Sequence, residues 1–231
     1  MNNTDKQRER SRRLYAWDKK RREKNRYIAG VDEVGRGPMA GPVVAAAVIL
    51  PAQPEILGID DSKKLSPQKR EALFDLILET CLAFGIGIRS NKFIDEKGIV
   101  IATHSAMRTA VAMLSLKGYT PGLVIVDGYP VEHLGVPQEA VVKADSQSAS
   151  VAAASIVAKV TRDRIMRDYD SIYPEYGFAS HKGYYTRSHR QALLSLGPSP
   201  IHRRSFQPVS RELDGTFGDV NRHLFDGENG G

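Results

Sequence analysis

Residues 30–38 read Gly30-Val31-Asp32-Glu33-Val34-Gly35-Arg36-Gly37-Pro38, and the fold is read outward from this stretch. An apolar, β-like run precedes it and a second one follows at residues 43–50. Two carboxylates at a strand end can hold a cation. The Gly-Arg-Gly turn after them can bring backbone N–H groups against a phosphate or a sugar, because no β-carbon blocks the approach. Both in one segment point to metal-assisted chemistry on a polyanion.

Strand and helix patterns alternate around this segment. Residues 27–34 and 43–50 are β-branched and apolar, as strands require. Ser66 followed by Pro67 is a helix start, and Ala72, Leu73, Leu76, Ile77 and Thr80 then recur at helical spacing. Residues 82–89 alternate as a third strand, weakened by Gly85 and Gly87. The short connection between the first two strands suggests an antiparallel ribbon of three. Residues 99–116 are helical in pattern, and residues 123–126 and 140–142 are short strands. A long helix is expected from Val151 to about Tyr169, capped by Ser148 or Ser150, and a short one over residues 186–196. This order predicts an α/β fold, a mixed sheet with helices on both sides. Ligands in such sheets collect at the carboxyl ends of strands.

Four acids share that placement. Asp32 and Glu33 end the first strand, Asp127 ends the fourth, and Asp145 follows the fifth. If these ends lie together, the like charges demand cations. Mg²⁺ or Mn²⁺ suits an all-oxygen ligand set, and no Cys/His spacing suggests zinc. The chemistry such a site supports is in-line displacement at a phosphodiester between two ions. Consecutive strand residues point to opposite faces, so Asp32 and Glu33 share one ion only if the strand bends there.

Composition narrows the class. A chain of 231 residues with 41% hydrophobic residues suits one good core with tails. No apolar run approaches the ~20 residues that span a bilayer, and the charged start lacks a signal-peptide pattern. One cysteine, Cys81, makes no internal disulfide, and the cytoplasm is the expected compartment. Residues 1–26 hold 11 Lys/Arg against 4 Asp/Glu, while the remainder holds 22 against 23. The net charge of +6 therefore belongs to a basic arm, able to tether nucleic acid or to stand solvated, with Leu14 and Trp17 as docking points. The expected organisation is a flexible arm over 1–26, a catalytic domain over 27–213 and a flexible Gly/acid-rich tail over 214–231.

The run from Asp32 to Pro42 resembles the opening signature of type 2 ribonucleases H, ribonuclease HII. Similar motifs follow in order: Asp61-Ser62-Lys63-Lys64-Leu65-Ser66, Val126-Asp127-Gly128, Lys143-Ala144-Asp145, Ser155-Ile156 with Ala158-Lys159-Val160, Tyr176-Gly177-Phe178, His181-Lys182-Gly183-Tyr184 and His202-Arg203-Arg204-Ser205-Phe206. The resemblance runs from about residue 27 to 209. It implies a ribonuclease H-like mixed sheet flanked by helices, with a C-terminal helical and loop segment. It also implies cutting of the RNA strand in RNA–DNA hybrids and incision at single ribonucleotides in duplex DNA, leaving 5′-phosphate and 3′-hydroxyl ends. By the same resemblance Asp32, Glu33, Asp127 and Asp145 are the catalytic metal ligands. Gly35, Arg36 and Gly37 read the 2′-hydroxyl that separates RNA from DNA, and Tyr184 sets its ring against the adjoining sugar. Lys63, Lys64, Ser148 and Lys182 are further substrate contacts. Val34, Met39, Ala144 and Tyr185 depart from the more usual Ala, Leu, Gly and Gly.

A monomer without membrane or nucleotide cofactor is expected. Ribonuclease HIII is the nearest alternative, but only 26 residues precede the first strand, too few for the extra domain usual there. A dinucleotide-binding enzyme is the second, although Gly35-x-Gly37-x-x-x-Gly41 does not fit its fingerprint. A catalytically silent nucleic-acid-binding protein is the third, and four acids that repel phosphate oppose it.

Overall fold

The computed structural model describes residues 3–214, so the tail expected at 214–231 lies, beyond its first residue, outside the described residues. The elements in chain order are α1 (Asn3–Arg22), β1 (Ile28–Val34), β2 (Val43–Ile49), α2 (Pro67–Thr80), β3 (Ala83–Arg89), α3 (Asn91–Lys97), α4 (Ile99–Leu116), β4 (Leu123–Asp127), β5 (Gln138–Val141), α5 (Ala149–Ile172), α6 (Phe178–His181), α7 (Arg187–Leu196) and α8 (Gln207–Leu213). They divide into two compact units where the sequence suggests one catalytic domain. The first takes in the chain up to Arg36, Val43–Arg89 and Val100–Arg162; the second takes in Gly37–Pro42, Ser90–Ile99 and the chain from Asp163.

The first unit is built on a five-stranded mixed sheet in the order β3-β2-β1-β4-β5. β1 pairs antiparallel with β2, and β2 antiparallel with β3, which is the expected ribbon. β1 pairs parallel with β4, and β4 parallel with β5. Every residue of β2 is buried, as its unbroken Val-Val-Ala-Ala-Ala-Val-Ile sequence requires. Val31, Ala45, Ala47, Val124 and Val126 of the sheet pack with Ala106, Met107, Ala110, Val111 and Leu114 of α4.

Gly85 and Gly87 take on a different meaning here. A β-carbon at Gly87 would stand 1.9 Å from the Ala106 carbonyl oxygen, and one at Gly85 would stand 2.1 Å from that of Ala110. The two glycines let α4 lie directly on β3. α4 is long and apolar enough to cross a membrane by length and composition. Its Ala102, Ala106, Ala110 and Leu114 are instead fully buried on the sheet, so it is a core helix.

The basic arm differs most from expectation. Residues 3–22 form one helix, with Ser11, Leu14, Tyr15 and Asp18 buried along one side. Trp17 packs against Ile28, Ile125, Ala144 and Val151. Tyr15 Oη accepts from Ile56 N at 3.1 Å, and Ser11 Oγ accepts from Gly58 N at 3.0 Å. Arg21 donates Nε to Glu139 of β5 at 2.8 Å. Charge dominates the composition of α1 and hides this narrow apolar stripe, whose partners come from distant segments.

In the second unit Met39 packs with Leu193 and Val209, and Ala40 pairs with His202 in an isolated antiparallel bridge. α3, α6 and α8 were not legible in the sequence; each is seven residues or shorter, too short for periodicity to register. α3 is marked only by its cap, Ser90, whose Oγ accepts from Phe93 N.

Candidate metal centre

β1 runs past Asp32 to Val34, so Asp32 lies within the strand and not at its end. The β1–β4 register pairs Val31 with Val126, which makes Asp32 and Asp127 the next residues on neighbouring parallel strands. β5 ends at Val141, one residue earlier than the sequence suggests, and Lys143 turns the chain with φ 57°. The left-handed residue is thus Lys143, while Ala144 is fully buried and donates its N–H to Asp127 Oδ1 at 2.7 Å. A single 3-10 turn over residues 144–146 then carries Asp145.

Oxygens of Asp32, Asp127 and Asp145 all lie within 4.8 Å of one another. Burial pushes the Asp32 carboxyl well above the usual range, with Glu33 and Asp127 adding to the effect. Burial also raises Asp145, as do Asp127 and Asp61. Three crowded carboxylates, two of them buried, are the donor set that a hard divalent cation fits.

Glu33 stands outside this trio. Alternation along the strand turns it away from Asp32, and it lies in a cleft of about 410 Å³ with Arg36, Thr103, His104, Asp127 and Tyr129. Arg36 Nη1 is 3.6 Å from Glu33 Oε1, so the arginine pairs with a nearby acid. Burial raises the Glu33 carboxyl, against the pull of Arg36. Asp127 therefore faces two sites, one shared with Asp32 and Asp145 and one shared with Glu33. The strand needs no bend at Glu33 for this.

Lys63 answers the cluster with positive charge. Burial works against its ammonium form, but Asp32, Asp61, Asp145 and Asp127 hold its pKa up. Lys64 Nζ donates to Ser146 Oγ at 3.2 Å, one residue beyond Asp145. Asp61, which the sequence leaves unassigned, caps this Lys-Lys turn by accepting from Lys63 N at 2.9 Å. Ser148, one of the two caps the sequence suggests for α5, is completely buried, and its Oγ accepts from Val151 N at 3.2 Å.

The start of α5 is held from two directions. Asp18 of α1 accepts from Ser150 N at 2.9 Å and Ser150 Oγ at 2.8 Å. A β-carbon at Gly30 of β1 would meet Ser150 C at 2.1 Å and Val151 N at 2.2 Å, so only glycine lets the helix cross the strand there. Asp18 gives no signal in the sequence, since one of four acids among eleven cations reads as a solvated charge.

Gly35 takes φ 96°, a conformation open to glycine. After the turn the chain enters strand β2 and not a helix, so it lacks the helix N-terminus a dinucleotide site requires. In the second unit a β-carbon at Gly37 would lie 3.8 Å from Tyr184 Cε1. The rings of Tyr184 and Tyr185 are both exposed. Lys182 Nζ donates to the Ala179 carbonyl.

A histidine relay fixes the backbone of Tyr184. His202 Nδ1 accepts from Ser199 N at 2.9 Å, which leaves the proton on Nε2, 3.0 Å from His189 Nε2. His189 Nδ1 then donates to the Tyr184 carbonyl at 2.9 Å. His181 Nδ1 accepts from Gly183 N at 3.2 Å, and its Nε2 donates to the Tyr176 carbonyl at 2.7 Å. All three rings are neutral in this pattern. His181 and His202 lie in the ordered motifs of the sequence, and His189 lies outside them.

Burial lowers His189 to about 3 and His202 to about 4. Between those values and the ordinary ~6.5 the unfolded chain binds protons that the native chain refuses. Stability contributed by this relay is complete above about pH 6.5 and falls as pH drops toward 4. The unfolding temperature of His202→Asn should be lower at pH 7.5 and should fall less steeply on acidification than that of the parent. Parallel curves for the two proteins would refute this.

The family model described as Ribonuclease HII matches residues 29–209. The chain belongs to the ribonuclease HII family. It is 55% identical to ribonuclease HII of Geobacter sulfurreducens over 188 residues, 81% of this chain and 85% of that one. Among solved structures it is similar to ribonuclease HII of Archaeoglobus fulgidus in the PCNA:RNase HII complex, with TM-score 0.65, 29% identity, and 80% and 96% of the two chains covered. It is likewise similar to ribonuclease H2 of Pyrococcus horikoshii OT3, with TM-score 0.62, 26% identity, and 82% and 98% covered. The fold is therefore ribonuclease H-like, and the chain is a hydrolase of the ribonuclease H family. All of α1 lies before the matched region, which starts within β1.

Proposed function

We propose that this chain hydrolyses the RNA strand of RNA–DNA hybrids and incises duplex DNA at single ribonucleotides, leaving 5′-phosphate and 3′-hydroxyl ends. The observation that carries the reading is the convergence of Asp32, Asp127 and Asp145 within 4.8 Å in a ribonuclease HII family chain. Asp32, Asp127 and Asp145 would hold one Mg²⁺ or Mn²⁺ ion, and Glu33 with Asp127 would offer ligands to a second. Such ions supply an activated water and neutralise charge developing at phosphorus.

The protein's own groups position the substrate. Lys63 and Lys64 contact the phosphates beside the acids. Backbone groups of Gly35, Arg36 and Gly37 meet the ribose 2′-hydroxyl, the atom that distinguishes RNA. Tyr184 sets its exposed ring against the sugar, its backbone held by His189. The protein acts as a cytoplasmic monomer on ribonucleotides left in replicated DNA.

Incubation with Mg²⁺ and a DNA duplex holding one ribonucleotide should yield a single incision at that residue, and a full hybrid should be cut at many positions. No cleavage of either substrate, with Mg²⁺ or with Mn²⁺, would overturn the reading.

A further inference from the structure

A groove of about 240 Å³ lies in the first unit among α1, the loop before α2, and the first turn of α2. Four cations line it: Lys6 and Arg10 of α1, Lys64 of the loop and Lys69 of α2, against the single carboxylate of Asp60. Asp60 is already engaged, 2.9 Å from Arg10 Nη2 and 3.6 Å from Lys64 Nζ. Gly58 forms part of the wall with φ +77°, and a β-carbon there would stand 3.2 Å from Lys69 Nζ and 3.4 Å from Gln7 Oε1. A bare backbone edge thus faces the cations.

Lys64 joins this groove to the metal centre, since its Nζ also reaches Ser146 beside Asp145. The basic surface continues along α1, where Lys6, Arg13 and Lys20 share one exposed ridge at helical spacing. Beyond residue 26 the chain is nearly neutral, with 22 basic and 23 acidic residues. Most of the attraction for a polyanion must therefore come from α1 and its surroundings.

We propose that this groove binds the sugar–phosphate backbone of the duplex at a point separate from the cleaved linkage, making α1 a second substrate-binding element. The occupant is a phosphodiester chain because the cations form a track and not a closed cage, and lysines serve phosphates as point charges. The identity of the duplex rests on the ribonuclease reading above. Binding through the groove does not.

The test is Lys6→Gln/Lys69→Gln, two surface changes away from the acids. Affinity for a fluorescent 30-base-pair duplex holding one ribonucleotide is measured across salt concentrations in an Asp127→Asn background, which leaves the duplex intact. Each lost phosphate contact should lower the slope of log affinity against log salt by ~0.9. The double variant should lose roughly 1.8 in slope and about tenfold in affinity at low salt. In the active background it should raise KM and leave kcat, with the unfolding temperature unchanged. Equal slopes and equal KM would overturn the groove while leaving the ribonuclease reading intact. A normal loss of slope in a protein that cuts nothing would overturn that reading alone.

Discussion

Asp127→Asn is expected to lose incision by about a thousandfold or more, equivalent to ~4 kcal/mol of transition-state stabilisation. Asp127 is the one acid that faces both Asp32 with Asp145 and the cleft with Glu33. Its loss removes a ligand from each proposed ion at once. Asparagine keeps an oxygen for the Ala144 N–H, so the loop before Asp145 keeps its anchor.

The same variant tests the electrostatics of the cluster. The Asp32 and Asp145 carboxyls titrate above the ordinary range, so the native state holds protons there that the unfolded chain has already lost. Stability from these groups is present at low pH and is lost as pH rises through their folded values. At neutral pH the crowded charge is a burden that Mg²⁺ should relieve, raising the unfolding temperature of the parent protein. Asp127→Asn should start more stable without metal and respond much less to it. Activity within tenfold of the parent, or an equal response to Mg²⁺, would show that these acids do not form one site.

Gly30→Ala is expected to destabilise the protein by at least ~3 kcal/mol, because the added carbon meets backbone and not a movable side chain. For a chain of this size that lowers the unfolding temperature by roughly 6–12 °C. The disturbance falls on the start of α5, just after Asp145, so kcat should drop even well below the new unfolding temperature. Calorimetry and kinetics together check this: an unchanged unfolding temperature would mean that α5 does not cross β1 at this residue. Gly98→Ala is the control, since nothing lies within 4 Å of a β-carbon there, although its φ of +82° carries a local strain.

The two glycine classes explain why part of the fold was legible and part was not. Gly35 is readable because a turn between two apolar runs needs it locally. Gly30, Gly85 and Gly87 look like weak points in strands, and their purpose lies in helices distant in the chain. The acids divide the same way. Placement at or just beyond a strand end, together with motif order, marks all four in the sequence. The separation of Glu33 from the trio depends on β1 continuing straight to Val34. Ser148 is one of the two caps the sequence offers for α5, and its hydroxyl accepts from Val151 N.

The strand order of the early ribbon, the major helices and the family are legible in the sequence, which also singles out the four acids as candidates. These follow from local periodicity, turn chemistry and ordered motifs, which depend on near neighbours in the chain. Which three acids meet, that α1 docks through Asp18 and Leu14, and that Lys6, Arg10, Lys64 and Lys69 share one groove emerge from long-range packing. Those are distances between segments far apart in the chain, set by strand register and by where glycine lets one backbone lie on another. In the opening stretch, residues 30–38, both kinds of information meet: Gly35 shapes a local turn, while Gly30 admits a helix that begins more than a hundred residues later.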